Sequence, residues 1–400
     1  MATMRVLHVI TYYHPHLSGL TIYVERLAAA LAARGHAVTV LASRHQAGLP
    51  RAEWRAGVRV VRAPVLLRVH KGVVSPAFTA LAWQLAREHD VVNLHLPLLE
   101  AGWLAALARA AGRPVVLTYH CDLRLPPGRL NRAIEAAMTL THRLAGRLAQ
   151  RVVTYTRDYA VHSPFVSRYL TKVETVFPPV VQAPPPPGAA EALRARLTPH
   201  GERLVGFAGR VATEKGIEYL LQALPALERL VGPVRVAFAG PYEGVVGERY
   251  YQQLGPLIAR YRPQLDFLGA LHGAELAAFY AALDCLVLPS VNSTESFGMV
   301  QVEAMLCGTP VVASALPGVR QPVRVTGMGE IAPVADAQGL ALALARVLRH
   351  RAHYVRPRAE IAARFDPAAT TQFYEALYAR VRAEVRAQDV GDRLPAGSTA

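Results

Sequence analysis

Cysteine is scarce in this chain, and the few residues present form no pattern. Only Cys121, Cys285 and Cys307 occur among 400 residues. An odd number without metal-like spacing argues against a disulfide framework and favours a reducing compartment. Long apolar runs are missing too. The opening M-R-V-L-H-V-I is too short for a signal peptide, and polar side chains interrupt the most apolar later window, residues 91–108. The sequence therefore predicts a soluble, cytoplasmic protein.

Lysine is almost absent, and the positive charge is unevenly distributed. The 44 basic residues comprise 41 arginines and three lysines, Lys71, Lys172 and Lys215. Residues 1–180 hold 22 basic and 9 acidic side chains, a net charge of +13, whereas residues 181–400 hold 22 and 20, a net charge of +2. No nucleic-acid-binding motif accompanies this charge, so we expect no nucleic-acid partner.

Two arginine-rich segments of the first half mix cations with leucine, valine or alanine. Such a composition is compatible with an anionic membrane surface, and also with ordinary solvated helix faces. For a peripheral contact with the inner face of a membrane, the first choice is the segment from Arg59 to Lys71, which includes Arg62 and Arg68. The alternative is the helical stretch of residues 129–151, with Arg132, Arg143 and Arg147.

The order of predicted elements indicates two α/β domains. Strand-like runs alternate with helical stretches in both halves, which is typical of parallel sheets wound on both faces. The proline-rich run at residues 178–188 indicates a linker between the domains. We predict an N-terminal domain over residues 1–180, a C-terminal domain over 189–365, an amphipathic helix over 366–386 and a loose tail over 387–400.

The most informative segment is E-S-F-G-M-V-Q-V-E, residues 295–303. The apolar run from Met299 to Leu306 predicts a short helix, with Phe297 and Gly298 at its N-terminus, an end that suits a phosphate. One carboxylate lies before this end and one beyond it. Carboxylates accept hydrogen bonds from hydroxyl pairs, so the pattern fits a nucleoside diphosphate sugar, with Glu295 on the sugar and Glu303 on the ribose. For the spacing alone, a solvated helix face is the simpler interpretation.

A second cluster follows the strand-like run R-L-V-G-F-A-G. Arg210 and Lys215 lie in a strand-to-helix loop, where α/β sheets bind their ligands. Lys215 also precedes a helix start, where the helix dipole disfavours cations unless an anion is bound. The other interpretation is a solvated pair of loop cations.

The segment E-S-F-G, followed by V-E-A-M, resembles the family 4 retaining glycosyltransferases, whose two-domain architecture is called GT-B. It is especially similar to the phosphatidylinositol mannosyltransferases. The resemblance covers nearly the whole chain and implies two Rossmann-like domains facing across a cleft. It also implies that Glu295 holds the donor sugar, that the backbone at Phe297 and Gly298 binds sugar or phosphate, and that Glu303 binds ribose. Met299, which follows Gly298, is predicted as a further donor-binding residue. The matched pattern G-R-x-x-x-x-K-G, residues 209–216, implies that Arg210 and Lys215 clamp the leaving diphosphate.

The first half carries two further features of this family. Y-H-C-D places His120 at the end of a buried strand, where the family has a histidine near the reacting sugar, although a lone histidine is usually structural. In the loop after the first strand, the family has a glycine pair near the donor phosphates. Here Gly19 remains, and Ser18 replaces the first glycine.

The resemblance implies a retaining, metal-independent transfer of a hexose, of mannose or glucose type, from a GDP- or UDP-sugar to a lipid or glycan acceptor, with no further cofactor. No D-x-D pair, expected of metal-dependent sugar transferases of the other major fold, occurs in the chain. Two alternatives are a non-catalytic partner subunit that binds nucleotide sugars and a phosphorylase of similar architecture. The phosphorylase would need a lysine for pyridoxal phosphate, and Lys215 is the candidate.

Overall fold

The computed structural model describes residues 3–69, 72–125, 128–242 and 249–391. The chain divides into two compact units, one formed by Met1–Pro179 with Pro367–Ala400 and the other by Val180–Asp366. Each unit has its own hydrophobic core, and each is built on a parallel sheet with helices, as the alternation of elements predicted.

The first unit is built on an eight-stranded sheet and a separate two-stranded ribbon. The strands are β1 (Arg5–Val9), β2 (Ala37–Arg44), β3 (Ala52–Arg55), β4 (Val58–Pro64), β5 (Leu67–Val69), β6 (Gly72–Val74), β7 (Val91–Leu96), β8 (Val115–Tyr119), β9 (Arg151–Thr154) and β10 (Val173–Thr175). The sheet order is β10-β9-β8-β7-β1-β2-β4-β3, parallel except for β3 against β4, and β5 pairs with β6. The helices are α1 (Gly19–Ala33), α2 (Pro76–Glu88), α3 (Ala101–Ala110), α4 (Arg129–Leu148) and α5 (Arg157–His162).

The second unit has a six-stranded sheet in which all strands are parallel. The strands are β11 (Arg203–Ala208), β12 (Val234–Ala239), β13 (Leu265–Gly269), β14 (Cys285–Leu288), β15 (Val311–Ser314) and β16 (Gly329–Ala332). Their order, β13-β12-β11-β14-β15-β16, is that of a doubly wound nucleotide-binding sheet. The helices are α6 (Ala189–Leu197), α7 (Ile217–Val231), α8 (Tyr250–Gln253), α9 (Gly255–Tyr261), α10 (Gly273–Ala282), α11 (Met299–Leu306), α12 (Gln321–Thr326), α13 (Ala337–Arg349), α14 (Arg351–Tyr354) and α15 (Arg358–Arg364).

The last helix, α16 (Pro367–Gly391), belongs to the first unit and packs against α1. Tyr374 and Tyr378 of α16 are fully buried there. The prediction of a loose tail from residue 387 was wrong for residues 387–391, which are helical. The apolar periodicity ends at Val385, but residues such as Ala387 and Gln388 have high helix propensity and continue the helix. Residues 392–400 lie outside the described part of the chain.

Helix ends follow the local sequence signals. Ser18 caps α1, since its hydroxyl accepts a hydrogen bond from the backbone N–H of Thr21 at 3.2 Å. The helix ends before Gly35, which adopts a left-handed conformation with a φ of 90°. The helix predicted from Met299 to Leu306 has those bounds in the structure, and Gly308 follows with a φ of 82°.

Candidate active site

The candidate site of the second unit lies at the switch point of its sheet. Strands β11 and β14 are neighbours, and the chain continues from them to opposite sides of the sheet, which leaves a crevice outside their carboxyl ends. Arg210 and Lys215 follow β11, and the segment from Glu295 to Glu303 follows β14. The two motifs, separated by about 80 residues in sequence, are therefore brought together at one sheet edge.

Lys215 and Glu295 form an ion pair that joins the two motifs. The Nζ atom of Lys215 donates a hydrogen bond to Oε2 of Glu295. Both side chains are largely shielded, with 17% and 15% of their surface exposed. Arg210 is more open, with 43% of its side chain exposed, and its guanidinium donates to Glu214 at 3.2 Å. The pairing leaves two cations at the edge of the crevice, one of them already held against the predicted sugar-binding carboxylate.

Two glycines allow the backbone to approach closely at this site. Gly216 has a φ of 62°, and a Cβ atom there would lie 2.4 Å from the carbonyl oxygen of Pro289. Gly298 has a φ of 75°, and a Cβ atom there would lie 2.3 Å from a methyl carbon of Leu288. Residues with side chains are strained at such φ values. These glycines let the Lys215 loop and the start of α11 pack directly onto the end of β14.

The start of α11 is held by a buried glutamine that the sequence analysis did not single out. Gln301 is fully buried, and its Nε2 atom donates to the carbonyl oxygens of Phe297 at 2.7 Å and Val319 at 2.9 Å. The Phe297 side chain is also buried and lies against Phe365, with ring centroids 6.1 Å apart. Phe297 therefore has only backbone groups to offer a ligand. Met299, the first residue of α11, is half-buried.

Glu303 lies within α11 and is buried, with 7% of its surface exposed. The hydroxyl of Tyr280, on α10, donates to its Oε2 atom at 3.0 Å. Tyr280 itself is fully buried, and its carbonyl oxygen accepts a hydrogen bond from Thr309 at 2.6 Å. The position of the predicted ribose-binding carboxylate is thus set by a tyrosine on another helix. Nothing in the local sequence around Tyr280 indicates this contact.

In the first unit, His120 follows β8 at the carboxyl edge of the sheet and is buried. Its Nε2 atom lies 3.0 Å from Nδ1 of His95, and its Nδ1 atom lies 2.5 Å from the hydroxyl of Tyr155. Burial lowers the pKa of His120 to about 3, so the ring is neutral at physiological pH. His95 and Tyr155 were not predicted as site residues, although each lies at or next to the carboxyl end of a strand, β7 and β9 respectively.

Gly19 is the exposed first residue of α1, in the loop-to-helix connection after β1. Ser18, which replaces the family's first glycine, caps this helix through its hydroxyl. The helix N-terminus, which favours anions, is therefore retained at this position despite the substitution.

The prediction that the segment from Arg59 to Lys71 offers its cations to a membrane was wrong for Arg62. That side chain is 2% exposed, and its guanidinium donates to Glu53 at 2.6 Å and to the carbonyl oxygen of His14 at 3.0 Å. The reason is the sheet order, because β3 pairs along β4 and places Arg62 in an inner strand. Lys71 and the Arg68 side chain lie outside the described residues.

The alternative segment, α4, has an exposed face that mixes cations with leucine. Exposed residues recur every three or four positions along one face, as expected for a helical stripe. Leu140 is 72% exposed and Leu130 is 56% exposed. The cations of the face are Arg129, Arg132, Arg143 and Arg147.

Neither a metal cluster nor a membrane span is found in the described ranges. Within residues 3–69, 72–125, 128–242 and 249–391, no three His, Cys, Asp or Glu side chains are placed to hold a metal ion together. Among the helices of the same ranges, none combines the length and the apolar character needed to cross a bilayer.

Both units match known family models. Residues 190–365 match the model for glycosyl transferases group 1, and residues 18–163 match that for a glycosyl transferase 4-like domain. The first match contains the Arg210, Lys215 and Glu295–Glu303 site, and the second contains Gly19 and His120.

Curated relatives are similar over most of their length. The chain is 32% identical to a GDP-mannose-dependent alpha-mannosyltransferase of Mycobacterium tuberculosis (strain CDC 1551 / Oshkosh), over 88% of this chain and 90% of the relative. It is 29% identical to a phosphatidyl-myo-inositol mannosyltransferase of Mycobacterium leprae (strain TN), over 91% and 93%.

Solved structures share the fold at low sequence identity. Sucrose-phosphate synthase from Thermosynechococcus elongatus superimposes with a TM-score of 0.77 at 22% identity, covering 94% of this chain and 100% of that one. HepE of Anabaena in complex with UDP-glucose gives a TM-score of 0.71 at 22% identity, with the same coverage.

Proposed function

The chain belongs to the GT-B glycosyltransferases of the group 1 and 4-like type, and from this premise we propose that it is a retaining hexosyltransferase. It would move a hexose from a nucleoside diphosphate sugar to a lipid or glycan acceptor, without a metal ion and without a further cofactor. The observation that carries the proposal is the convergence of Lys215, Glu295 and the start of α11 at the switch point of a nucleotide-binding sheet.

Each group at this switch point has a chemical task in the proposed reaction. Arg210, Lys215 and the backbone at Phe297 and Gly298 would bind the diphosphate, because two cations and a helix N-terminus suit an anion. Glu303, held by the Tyr280 hydroxyl, would accept hydrogen bonds from the ribose hydroxyls. The same positive groups stabilise the charge that develops on the diphosphate as the glycosidic bond breaks, and this electrostatic task needs no metal.

The ion pair between Lys215 and Glu295 supports an exchange on donor binding. A diphosphate carries more negative charge than one carboxylate, so it would draw the Lys215 ammonium away from Glu295. The released carboxylate then has free oxygens for the hydroxyls of the donor sugar. We propose no protein nucleophile. The departing phosphate takes the acceptor's proton on the same face of the sugar, which accounts for retention.

GDP-mannose is the favoured donor, and a UDP-hexose is the alternative. The mycobacterial relative is described as GDP-mannose-dependent, and the match extends over nearly the whole of both chains. The Anabaena structure, which shares the fold at lower identity, holds UDP-glucose. Both donors present a diphosphate and a ribose, so they would use the same cations and the same Glu303.

A donor panel tests the proposal directly. Purified protein is titrated with GDP-mannose, UDP-glucose, UDP-N-acetylglucosamine and ADP-glucose by calorimetry. Turnover is then followed as release of nucleoside diphosphate with lipid and glycan acceptors, with and without EDTA. We expect micromolar-range binding of one donor and EDTA-insensitive transfer that retains the anomeric configuration by NMR. An inverted product, or loss of transfer in EDTA, would contradict the mechanism. Binding without any hydrolysis or transfer would favour the partner-subunit alternative.

We further propose that the acceptor side works at an anionic membrane surface on the cytoplasmic face, through the exposed face of α4. This face joins arginines to exposed leucines, a composition suited to anionic lipid headgroups and their acyl boundary. We propose the face of α4 as the membrane contact in place of the segment from Arg59 to Lys71, because Arg62 of that segment is buried.

Vesicle sedimentation tests this contact. The protein should sediment with phosphatidylglycerol vesicles at low salt but not with phosphatidylcholine vesicles, because the attraction is electrostatic and screened by salt. The double variant Arg143→Gln and Arg147→Gln should bind less. The matched variant Arg229→Gln and Arg260→Gln loses the same charge from exposed positions of the second unit and should bind normally. Equal losses of vesicle binding in both double variants would show that the net charge of the protein, and not the face of α4, causes the binding.

A further inference from the structure

Three histidines and one tyrosine form a continuous hydrogen-bonded row inside the first unit. Nδ1 of His8 lies 2.9 Å from Nε2 of His95, and Nδ1 of His95 lies 3.0 Å from Nε2 of His120. Nδ1 of His120 lies 2.5 Å from the Tyr155 hydroxyl. All four side chains are buried. Both ring nitrogens of His95 and of His120 are therefore used within the row.

The register of the sheet explains how this row arises. His8 on β1 lies opposite Asn93 on β7, and His95 is two residues further along β7. His95 in turn lies opposite Thr118 on β8, and His120 is two residues further along that chain segment. Steps of two residues keep all side chains on one face of the sheet. The row thus extends from the middle of the sheet to its carboxyl edge, where ligands of such folds bind.

The row is composed of neutral imidazoles, and this restricts their tautomers. Burial lowers the pKa of His8 and of His120 to about 3, and that of His95 well below its ordinary value. A neutral imidazole has one N–H donor and one acceptor nitrogen. Each hydrogen bond between two rings needs one donor nitrogen and one acceptor nitrogen. All three rings must therefore carry their proton on the same nitrogen, either Nδ1 in every ring or Nε2 in every ring.

The far end of the row indicates which nitrogen this is. Nε2 of His8 is buried and has no hydrogen-bond partner among the described residues. Buried donors without an acceptor are rarer in proteins than incompletely satisfied acceptors. His8 therefore carries its proton on Nδ1 and donates to His95, which donates to His120, which donates to the oxygen of Tyr155. The hydroxyl hydrogen of Tyr155 is then directed away from His120.

Aromatic side chains hold the row in place from the helix side. The ring of Tyr23, on α1, lies edge-on to that of His120, with centroids 4.9 Å apart and an interplanar angle of 86°. The Tyr23 hydroxyl lies 2.8 Å from that of Tyr374 on α16, and the ring of Tyr378 lies 6.4 Å from that of His8. Burial keeps the pKa of all three tyrosines above its ordinary value, so the groups that face the row are neutral as well.

We propose that His95 is a positioning residue for sugar transfer. It fixes the ring orientation and tautomer of His120, and through His120 the hydroxyl of Tyr155, at the edge of the sheet where the reacting groups bind. The inference rests on the proposed function, which puts His120 beside the reacting sugar. It adds that His120 acts as one member of a row rather than through a free ring nitrogen.

Nitrogen NMR of the unmodified protein tests the row independently of activity. With ¹⁵N-labelled histidine, the couplings between ring nitrogens and carbon-bound protons distinguish the two tautomers and the imidazolium form. Single variants assign each resonance. At neutral pH we expect His8, His95 and His120 all to be neutral and protonated on Nδ1. A proton on Nε2 of His120, or an imidazolium in the row, would overturn the inference.

Two variants of His95 test the functional consequence. His95→Leu removes both hydrogen bonds, and we expect kcat to fall on the order of 100-fold with the KM for the donor unchanged, because misplacement of reacting groups has effects of that size. His95→Gln keeps one donor and one acceptor and should recover part of the loss. In His95→Leu, His120 should populate both tautomers. The matched control is His89→Leu, which removes a buried histidine outside the row, bonded to Thr39, and should leave kcat unchanged.

The outcomes separate this inference from the proposed function. If His120→Ala transfers sugar normally, the proposed role of His120 fails, whatever His95 does. If His120→Ala is inactive and His95→Leu, with normal thermal melting, turns over normally, only the positioning role fails. If His95→Leu and His95→Gln are equally impaired while His120 keeps its tautomer in both, the histidine acts through packing and the inference is wrong.

Discussion

Mild acid should destabilise the first unit because its histidine row is buried in the neutral form. The ordinary histidine pKa of about 6.5 applies in the unfolded chain. Burial lowers the pKa of His8 and His120 to about 3 in the folded chain, and that of His95 well below its ordinary value. Between these values the unfolded state binds more protons, so stability is present above pH 6.5 and is lost as the pH falls below it.

The size of the effect follows from the linkage relation. For one histidine shifted from about 6.5 to about 3, lowering the pH from 7 to 5 reduces the free energy of unfolding by about 2 kcal/mol. His8 and His120 together give about 4 kcal/mol, which approaches the whole stability of a typical domain, about 5–15 kcal/mol, and His95 adds to the loss in the same direction. Acid should therefore unfold the first unit well above the pH at which carboxylates become protonated.

Tryptophan fluorescence reports this transition selectively. Trp54, Trp83 and Trp103 are the three tryptophans of the chain, and all belong to the first unit. Urea unfolding followed by this signal at pH 7, 6 and 5 gives the free energy at each pH. His8→Phe should reduce the loss between pH 7 and pH 5 by about 2 kcal/mol, the contribution of one histidine. His200→Gln, at an exposed position of the second unit, should leave the loss unchanged.

Other buried histidines do not disturb this comparison. Burial lowers the pKa of His142 to about 4, and also lowers that of His89. Both histidines therefore also reduce the free energy of unfolding as the pH falls. They are present in the parent protein and in the His8 variant alike. If the parent shows no loss of stability from pH 7 to pH 5, or if His8→Phe shows the same loss as the parent, the buried row does not cause the acid sensitivity.

Three further predictions concern the site of the second unit. Lys215→Ala should lower kcat on the order of 100-fold with an unchanged melting temperature, because the lysine charge acts on the leaving diphosphate. The control is Arg203→Ala, at the opposite end of β11. Near-normal turnover of the Lys215 variant would contradict the proposed role of Lys215. Glu303→Gln should weaken binding of the free nucleoside diphosphate by about tenfold in calorimetry, the loss of a charge-assisted hydrogen bond, whereas Glu295→Gln should weaken only the intact donor. Equal effects on the free nucleotide would contradict this division. Tyr280→Phe should weaken the free nucleotide by about threefold to tenfold, since Glu303 loses the hydroxyl that holds it; unchanged affinity would show that the contact is dispensable.

The fold class and the local parts of the candidate site could be predicted from the amino-acid sequence. Strand-like runs alternating with helical stretches predict a doubly wound parallel sheet, because strand and helix periodicities are local properties. The start of α11, with Gly298 before it and Glu303 one turn in, follows from helical geometry within a few residues. The short strands β3, β5, β6, β10 and β16 were not predicted, because each has only three or four residues and carries little apolar pattern of its own.

The tertiary structure alone decided the contacts between distant segments. Lys215 and Glu295 are 80 residues apart, His8 and His95 are 87 apart, and Tyr280 meets Glu303 from another helix. The burial of Arg62 has the same origin, since an extra strand pairs along β4. Sequence periodicity specifies which residues share one face of a strand or helix. Which strands become neighbours, and in what register, is determined by the packing of the whole sheet, and that packing turns three separate histidines into one row.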